Sequence, residues 1–499
     1  MSIKSEQLAP KTRDLLGAYE NYVDGRWVAG EGASFEAINP FTEDVIARIR
    51  GGSVAQARAA IAGARRSFDA RLWRDKSAKR RSDVLHAITR ELASARDEFT
   101  DLIVTEGGCP ISTGRGLNVD SMLESFEWFA DAALRGPDGG WERYLPLHKR
   151  PTPSRSLLLR EPAGVVVGIT PYNVPLIGAA WKIGGALAAG CSSILMPSPR
   201  AMLSAIAFMR VLDRAGLPKG VVNLVLGGPD IGRELTENPM VDMVSFTGSD
   251  AVGRQVMEQG AKTLKKVLLE LGGKSPNIVL PGIDIAPSVG PSIARFCRNS
   301  GQGCACPTRT FVPRGKYDEF VELAKAYMNE MPVGDPRDER TLIGPLIRGE
   351  HRARVEGFVE RAVASGGRVV AGGGRPAQFS RGFFMNPTFV GNVANTSEIA
   401  QEELFGPVGV VIPYDSVAEA IDMANDTRYA LHASLWGPED TAFEVARKLR
   451  SGMVSINGGG GVRPDAPWGG PGSSGIGREA GEEGFLEFFE TKHIQWSVR

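Results

Sequence analysis

Val165-Val-Val-Gly-Ile169, Ile194-Leu-Met196, Val221-Val-Asn-Leu-Val-Leu226 and Met243-Val-Ser-Phe246 are four short apolar runs, and what separates them decides the fold. Each has the length of a buried strand, while segments between them, such as Ala201 to Ala215, have helical length and apolar spacing. Strand alternating with helix over more than 80 residues implies βαβ units around a parallel sheet. A second series begins after Glu270, with Asn277-Ile-Val-Leu280, Thr310-Phe-Val312, Val408 to Ile412 and Met453-Val-Ser-Ile456. Two α/β lobes follow from this. Ser416 and Glu419 read as a capping box opening a helix through Ala424. Upstream, residues 79–105 read as one amphipathic helix with Leu85, Ile88, Leu92, Phe99 and Ile103 on one face, stopped at Gly107-Gly108 before Pro110. The polar stretch from Arg135 to Pro153 reads as a linker or an extended arm.

Composition narrows the function classes. The 58 basic and 58 acidic side chains cancel, so no net basic field draws in phosphates and nucleic acid is not an expected partner. Hydrophobic residues at 42% and charged residues at 23% exclude a mainly disordered chain. Charged Lys4, Glu6, Lys11, Arg13 and Asp14 leave no apolar core for a signal peptide. Pro171, Asn173, Pro175 and Lys182 interrupt the most apolar stretch, Ala163 to Met196, which argues against a membrane span. The five cysteines (Cys109, Cys191, Cys297, Cys304, Cys306) are too scattered for a disulfide framework, so a reducing cytoplasm is expected. Five separated histidines, with no HExxH and no paired CxxC, leave no expected metal site. Glycine is the outlier: 61 residues, against ~7% in average usage, point to tight turns and close backbone approaches.

Three residues stand out chemically. Cys304, in Asn299-Ser-Gly-Gln-Gly-Cys304-Ala-Cys306-Pro, lies on a permissive backbone where a reactant can approach, so it reads as a nucleophile or as an inert buried thiol. Cys304 and Cys306 lack the second pair that a four-ligand metal site needs. Glu270 ends an apolar run before two glycines; partial burial would raise its pKa toward that of a general base, the alternative being a helix-end or surface glutamate. Asn173, in Thr170-Pro-Tyr-Asn173-Val-Pro175, reads as an oxyanion donor or as a turn residue bonded to its own backbone. Gly227-Gly-Pro-Asp-Ile-Gly232 and Thr247-Gly-Ser-Asp-Ala-Val-Gly253 each follow a strand and open a helix whose N-terminus can face a phosphate, although neither is a GxGxxG.

Taken together, these motifs resemble the aldehyde dehydrogenase superfamily across nearly the whole chain. The resemblance runs from Val23-Asp-Gly-Arg-Trp-Val28 and Ile38-Asn-Pro40 through Thr170-Pro-Tyr-Asn173, Phe246-Thr-Gly-Ser249, Leu269-Glu-Leu-Gly-Gly-Lys274 and Gly301-Gln-Gly-Cys304. It ends with Glu402-Glu-Leu-Phe-Gly-Pro407, Pro467-Trp-Gly-Gly470 and Gly475-Ile-Gly-Arg-Glu479. It implies an α/β fold with a Rossmann-like cofactor domain (1–138 and 161–271), an α/β catalytic domain (272–475) and a small β oligomerisation arm (139–160 and 488–499). A homodimer or homotetramer is implied, with the tail Phe488-Phe489, Ile494 and Trp496 covered by a partner. The implied chemistry is oxidation of an aldehyde to the acid with NAD, or alternatively NADP. Cys304 forms a thiohemiacetal and then a thioester, Asn173 and the Cys304 N–H hold the oxyanion, Glu270 activates water and Lys182 supports the site. Implied cofactor positions are Thr170, Pro171, Met196, Gly228, Gly232, Phe246, Gly248, Ser249, Leu271, Glu403 and Phe405; implied substrate positions are Val174, Ile177, Trp181, Gly303, Val462 and Trp468.

Departures from the family pattern sharpen the expectation. Met196 and Pro199 stand where members usually carry a lysine and a glutamate toward the adenosine ribose, which keeps NADP in play, with Arg200 as a candidate cation. Gly472 replaces a usual lysine and Trp468 a usual phenylalanine. The glycine-rich loop between Asn457 and Pro467, with Val174, Ala294 and Gly303, implies a roomy entrance for a bulky, aromatic or long-chain aldehyde, and Arg463 and Asp465 read as a salt-bridged pair. Glu270 argues against a CoA-acylating relative, and Cys304, Glu270 and Asn173 together argue against a non-catalytic descendant.

Overall fold

Residues 3–136 and 140–498 are described by the computed structural model; the expected domain limits at 1, 138, 139 and 499 lie outside them. Five strands in parallel form the heart of an eight-stranded sheet, in the order Lys266–Glu270, Met243–Thr247, Val165–Thr170, Ser192–Pro197 and Val222–Leu224. The short strand Gly475–Ile476 closes one edge, and Asn21–Val23 with Arg26–Val28 closes the other. From Val165–Thr170 the chain winds outward through two strands, then crosses back and builds in the opposite direction from Met243–Thr247. Such a reversal opens a crevice at the carboxyl ends of the two central strands, where doubly wound folds bind ligands. Thr170 and Thr247 lie at those ends, and Met196 and Glu270 lie at the carboxyl ends of the strands that flank them.

Alternation along each strand explains why the sheet is buried on both faces. Val166, Leu195, Met243 and Leu268 join one hydrophobic cluster, whereas Val165, Val167, Ile194, Met196, Val244, Phe246 and Leu269 join another. A second sheet of seven strands repeats the scheme, ordered Arg368–Gly372, Thr388–Gly391, Val408–Tyr414, Arg309–Pro313, Pro276–Val279, His432–Trp436 and Met453–Ile456. Only its first strand is antiparallel. A third sheet joins Phe489–Ser497, Ser154–Pro162 and Glu142–His148, so the stretch after Arg135 that read as a linker or an arm holds a strand.

Several local expectations change. The single helix expected over 79–105 is two, Ala78–Ser94 and Arg96–Gly107, hinged at Ala95 (φ −103°, ψ 21°). The second is buried continuously from Phe99 to Glu106, which a helix with one apolar stripe does not allow, so it turns off the first to enter the interior. The helix Val417–Asn425 is half boxed: Ser416 Oγ accepts from Glu419 N (3.2 Å), but the Glu419 carboxylate takes the N–H of Asp415 instead (2.6 Å). The run Val221 to Leu226 pairs only over Val222–Leu224. Phe488 and Phe489 are not an exposed tail. Phe488 packs against Gly185 and Phe489 lies 5.0 Å from the Trp141 ring, both within the chain's own core. Tyr144, Leu145, Leu147, Ile494 and Trp496 are exposed apolar residues of that sheet. Among the described residues, no helix is long and apolar enough to cross a membrane.

Candidate active site

Glu270 closes its strand beside Thr247, and its backbone C=O accepts from Gly248 N at 3.0 Å. Its side chain is buried, and neither carboxylate oxygen has a hydrogen-bond partner among the described residues. Burial, followed by the charge of Glu479, pushes its pKa well above the usual carboxylate range, against the pull of Lys182 and Arg478. Gly469 faces the carboxylate so closely that a Cβ there would lie 2.4 Å from Oε1.

Cys304 approaches from the second lobe. The chain before it passes through three left-handed residues, Asn299 (φ 51°), Ser300 (φ 57°) and Gly301 (φ 72°), and a Cβ on Gly301 would lie 2.0 Å from the Gly406 carbonyl oxygen. Only glycine fits there. Gly303 through Cys306 then form a turn closed by Cys306 N to Gly303 O (3.3 Å). The Cys304 carbonyl is lodged against Gly273, where a Cβ would come within 2.3 Å, so the thiol turn abuts the segment that follows Glu270. Burial and the nearby carboxylates of Glu403 and Glu270 hold the Cys304 thiol well above its ordinary pKa.

Asn173 bridges the lobes. Its Nδ2 donates to the Gln302 carbonyl at 3.0 Å, which leaves the amide beside the Gln302-Gly303-Cys304 backbone. Asn173 therefore reaches across chain rather than folding onto its own turn. Lys182 sits behind these groups, fully buried, donating to Ser245 Oγ (3.0 Å), Thr247 Oγ1 (2.8 Å) and Glu479 Oε1 (2.5 Å). Glu479 had no role assigned from the sequence beyond its motif. A lone lysine in an apolar run demands a buried counter-charge, and that requirement was the available signal.

The residues expected to meet the cofactor come from both lobes. Ser249 caps the helix Asp250–Ala261 through Val252 N, and Gly228 opens Pro229–Glu237, whose first-turn amides take no side-chain cap. Gly248 leans on the Phe246 ring and Gly253 on Leu271, where a Cβ would meet carbon at 2.4 and 2.5 Å. Met196 packs its methyl toward Gly232, 3.6 Å from a Cβ built there. Arg200 holds its guanidinium 5.6 Å from the Tyr172 ring centroid, a cation–π contact. From the second lobe Glu403 accepts Gly273 N at 3.0 Å, and burial raises its pKa to about 7. Phe405 takes a left-handed φ of 61°, with its ring 5.9 Å from that of Tyr172. Thr170 ends the central strand and Pro171 follows it.

Ile177 and Trp181 belong to one hydrophobic cluster, against which Val174, Val462 and Trp468 pack, and the two tryptophan rings lie 5.7 Å apart. Trp181 Nε1 is anchored to Ser125 Oγ (3.1 Å). Gly303 immediately precedes Cys304, and a Cβ there would lie 2.8 Å from Cys306 Sγ. Arg463 and Asp465 pair bidentately (2.9 and 2.8 Å) on the exposed loop. No group of three His, Cys, Asp or Glu among the described residues is gathered to hold a metal ion.

A comparison of the sequence with family patterns matches residues 27–494 to the "Aldehyde dehydrogenase family". This chain belongs to the aldehyde dehydrogenase family. It is an NAD(P)-dependent aldehyde dehydrogenase by class. Among its relatives, a 3-succinoylsemialdehyde-pyridine dehydrogenase from a Pseudomonas species is 40% identical over 480 residues, covering 95% of this chain and 98% of the relative. Of the solved structures, aldehyde dehydrogenase C from Pseudomonas syringae, a cysteine-to-alanine mutant complexed with NAD+ and octanal, is 37% identical with a TM-score of 0.91, covering 99% and 98% of the two chains. Betaine aldehyde dehydrogenase from Staphylococcus aureus with NAD+ is 33% identical with a TM-score of 0.93, covering 98% and 96%. At these scores the two-lobed α/β architecture is that of the aldehyde dehydrogenase structures.

Proposed function

We propose that this aldehyde dehydrogenase oxidises a bulky aldehyde, aromatic or long-chain, to its carboxylic acid through a thioester on Cys304. The observation that carries the hydrolytic reading is Glu270: a buried carboxylate with both oxygens unpaired, beside the turn that bears the thiol. The raised pKa of each group favours the neutral thiol at rest and a carboxyl able to hold a proton. Cys304 Sγ attacks the aldehyde carbon as its proton leaves toward Glu270. The Asn173 amide and the Cys304 N–H stabilise the resulting thiohemiacetal oxyanion. Bound NAD would supply the acceptor for the hydride that leaves this carbon. Once Glu270 has passed the thiol proton to solvent, it takes a proton from water as the water oxygen attacks the thioester, and Cys304 departs as the leaving group.

The crevice suits a dinucleotide. Gly248 and Gly253 leave no room for side chains, and the helices after Gly228 and Ser249 turn their N-termini to it, as a pyrophosphate requires. Glu403 would take the nicotinamide ribose hydroxyls, Phe405 would pack beside them and Lys182 would support the site near the ribose. Met196 offers the adenosine ribose no charge; we infer NAD as the preferred cofactor, in keeping with the NAD+-bound relatives, since Arg200 is engaged with Tyr172. The apolar set Val174, Ile177, Trp181, Val462 and Trp468 supports a large hydrophobic substrate, as do a relative named for a pyridine semialdehyde and another bound to octanal. The domain division given above is proposed to hold, with Tyr144, Ile494 and Trp496 covered in a homodimer or homotetramer and the enzyme in the cytoplasm. Turnover of acetaldehyde, octanal and benzaldehyde with NAD or NADP, with and without CoA, tests the reading. Better turnover of acetaldehyde, a clear NADP preference or dependence on CoA overturns the corresponding part.

A further inference from the structure

The helix Gly349–Ala364 holds the loop that carries Glu403 and Phe405 through three hydrogen bonds to its backbone. His351 Nε2 donates to the Phe405 carbonyl at 2.6 Å, and Arg354 donates to the Leu404 carbonyl at 2.8 Å and the Glu403 carbonyl at 2.9 Å. A carbonyl only accepts, so the histidine carries its proton on Nε2. Phe405 needs this support. A bulky residue at φ 61° is strained relative to the right-handed and extended regions, and such a conformation persists only where surrounding contacts over-determine it. The His351 ring also packs edge-on against the Phe405 ring at 6.3 Å, and the Tyr172 ring meets the Phe405 ring at 5.9 Å. The Tyr172 hydroxyl in turn reaches Gln302 Oε1 (3.4 Å), and the Gln302 carbonyl is the acceptor for Asn173.

We propose that His351 is a positioning residue for cofactor binding: its Nε2–H fixes the Phe405 peptide, and with it the orientation of the Phe405 ring and the Glu403 carboxylate toward the nicotinamide ribose. The inference rests on the roles given above to Glu403 and Phe405. Burial, with the charges of Arg354 and Arg200 close by, lowers the histidine pKa to about 4, so the ring stays neutral and the donor is present throughout the neutral range. Arg354 alone does not replace it, because its two bonds end at residue 404 and leave the left-handed residue itself unheld.

The test compares H351F, which keeps a ring but has no donor, with H351Q, which keeps a donor. Steady-state KM for NAD and kcat with a fixed aldehyde are measured, together with cofactor-independent hydrolysis of an activated ester, which draws on Cys304, Asn173 and Glu270 but not on the cofactor. H351F is expected to raise KM for NAD five- to tenfold, about the loss expected for one buried hydrogen bond, with KM for the aldehyde and ester hydrolysis within twofold of the parent. H351Q is expected to recover KM for NAD to within twofold. An unchanged KM for NAD in H351F overturns the proposal, as does a glutamine variant no better than the phenylalanine one, or a parallel loss of ester hydrolysis. If H351F does not fold, H351Q decides by itself: a KM for NAD five times the parent's or more overturns the proposal. Failure of the parent to use NAD, or retention of activity in C304A, would instead refute the underlying reading.

Discussion

Glu479→Gln separates electrostatics from packing at the buried centre of the site. The Lys182 and Glu479 side chains are 0% and 3% exposed, with Nζ and Oε1 2.5 Å apart. At an effective dielectric of about 20, that separation corresponds to roughly 6–7 kcal/mol of attraction, offset by the desolvation of both charges. Glutamine preserves shape and the Ser245 contact but leaves the ammonium without its counter-charge, a change that costs about 3–5 kcal/mol when one partner of a buried pair is removed. At about 1 °C per kcal/mol for a chain of this size, the melting temperature should fall by roughly 3–5 °C. Catalysis reports the same change in a second way. Glu270 is held up first by burial and next by Glu479, and is pulled down by Lys182. Removing the carboxylate charge and exposing Glu270 to an unpaired ammonium lowers the Glu270 pKa, so the acid limb of the kcat profile moves to lower pH. Lys182→Met removes the downward pull and moves that limb up. Differential scanning fluorimetry and pH profiles of kcat measure both. Acid limbs that stay fixed, or move together in the two variants, would refute the reasoning.

Other perturbations follow from the same geometry. For Glu270→Gln, the folded pKa lies above the unfolded value, so the parent loses stability as pH rises from about 4.5 toward the folded value. The variant lacks that loss and should melt higher at neutral pH, by about 1–3 kcal/mol for an unpaired buried group, while failing to release acid from the thioester; an equal melting temperature at pH 8 would count against this. Gly301→Ala forces a Cβ to 2.0 Å from the Gly406 carbonyl at φ 72° and should yield inactive protein destabilised by more than about 3 kcal/mol, readable in a urea melt. Trp468→Ala opens the apolar cluster beside Trp181 and should raise KM for octanal and benzaldehyde about tenfold, with acetaldehyde changed less. Arg463→Ala breaks only an exposed pair and should alter kcat/KM less than about twofold.

How much could be read in advance differs from element to element. The apolar runs that became the central strands were legible because burial on both faces demands continuous hydrophobicity. Cys304, Glu270 and Asn173 stood out as candidates because each is a chemically incongruous residue in a glycine-rich or apolar setting. The hinge at Ala95 was not, since both halves carry apolar residues at helical spacing and only their packing against the rest of the core separates them.

Composition and local pattern thus determined the alternation of elements and the two α/β lobes and singled out the candidate reactive groups, because these follow from short-range periodicity and residue chemistry. Partnership across the chain was decided only by tertiary structure. Lys182 meets a carboxylate 297 positions away, Asn173 meets a carbonyl 129 positions away, and His351 reaches a peptide 54 positions away. The orphaned state of Glu270, which gives it a base's pKa, is likewise a property of what surrounds it. No local pattern encodes the dielectric, the opposing charge or the missing donor that strands folded from distant segments bring together.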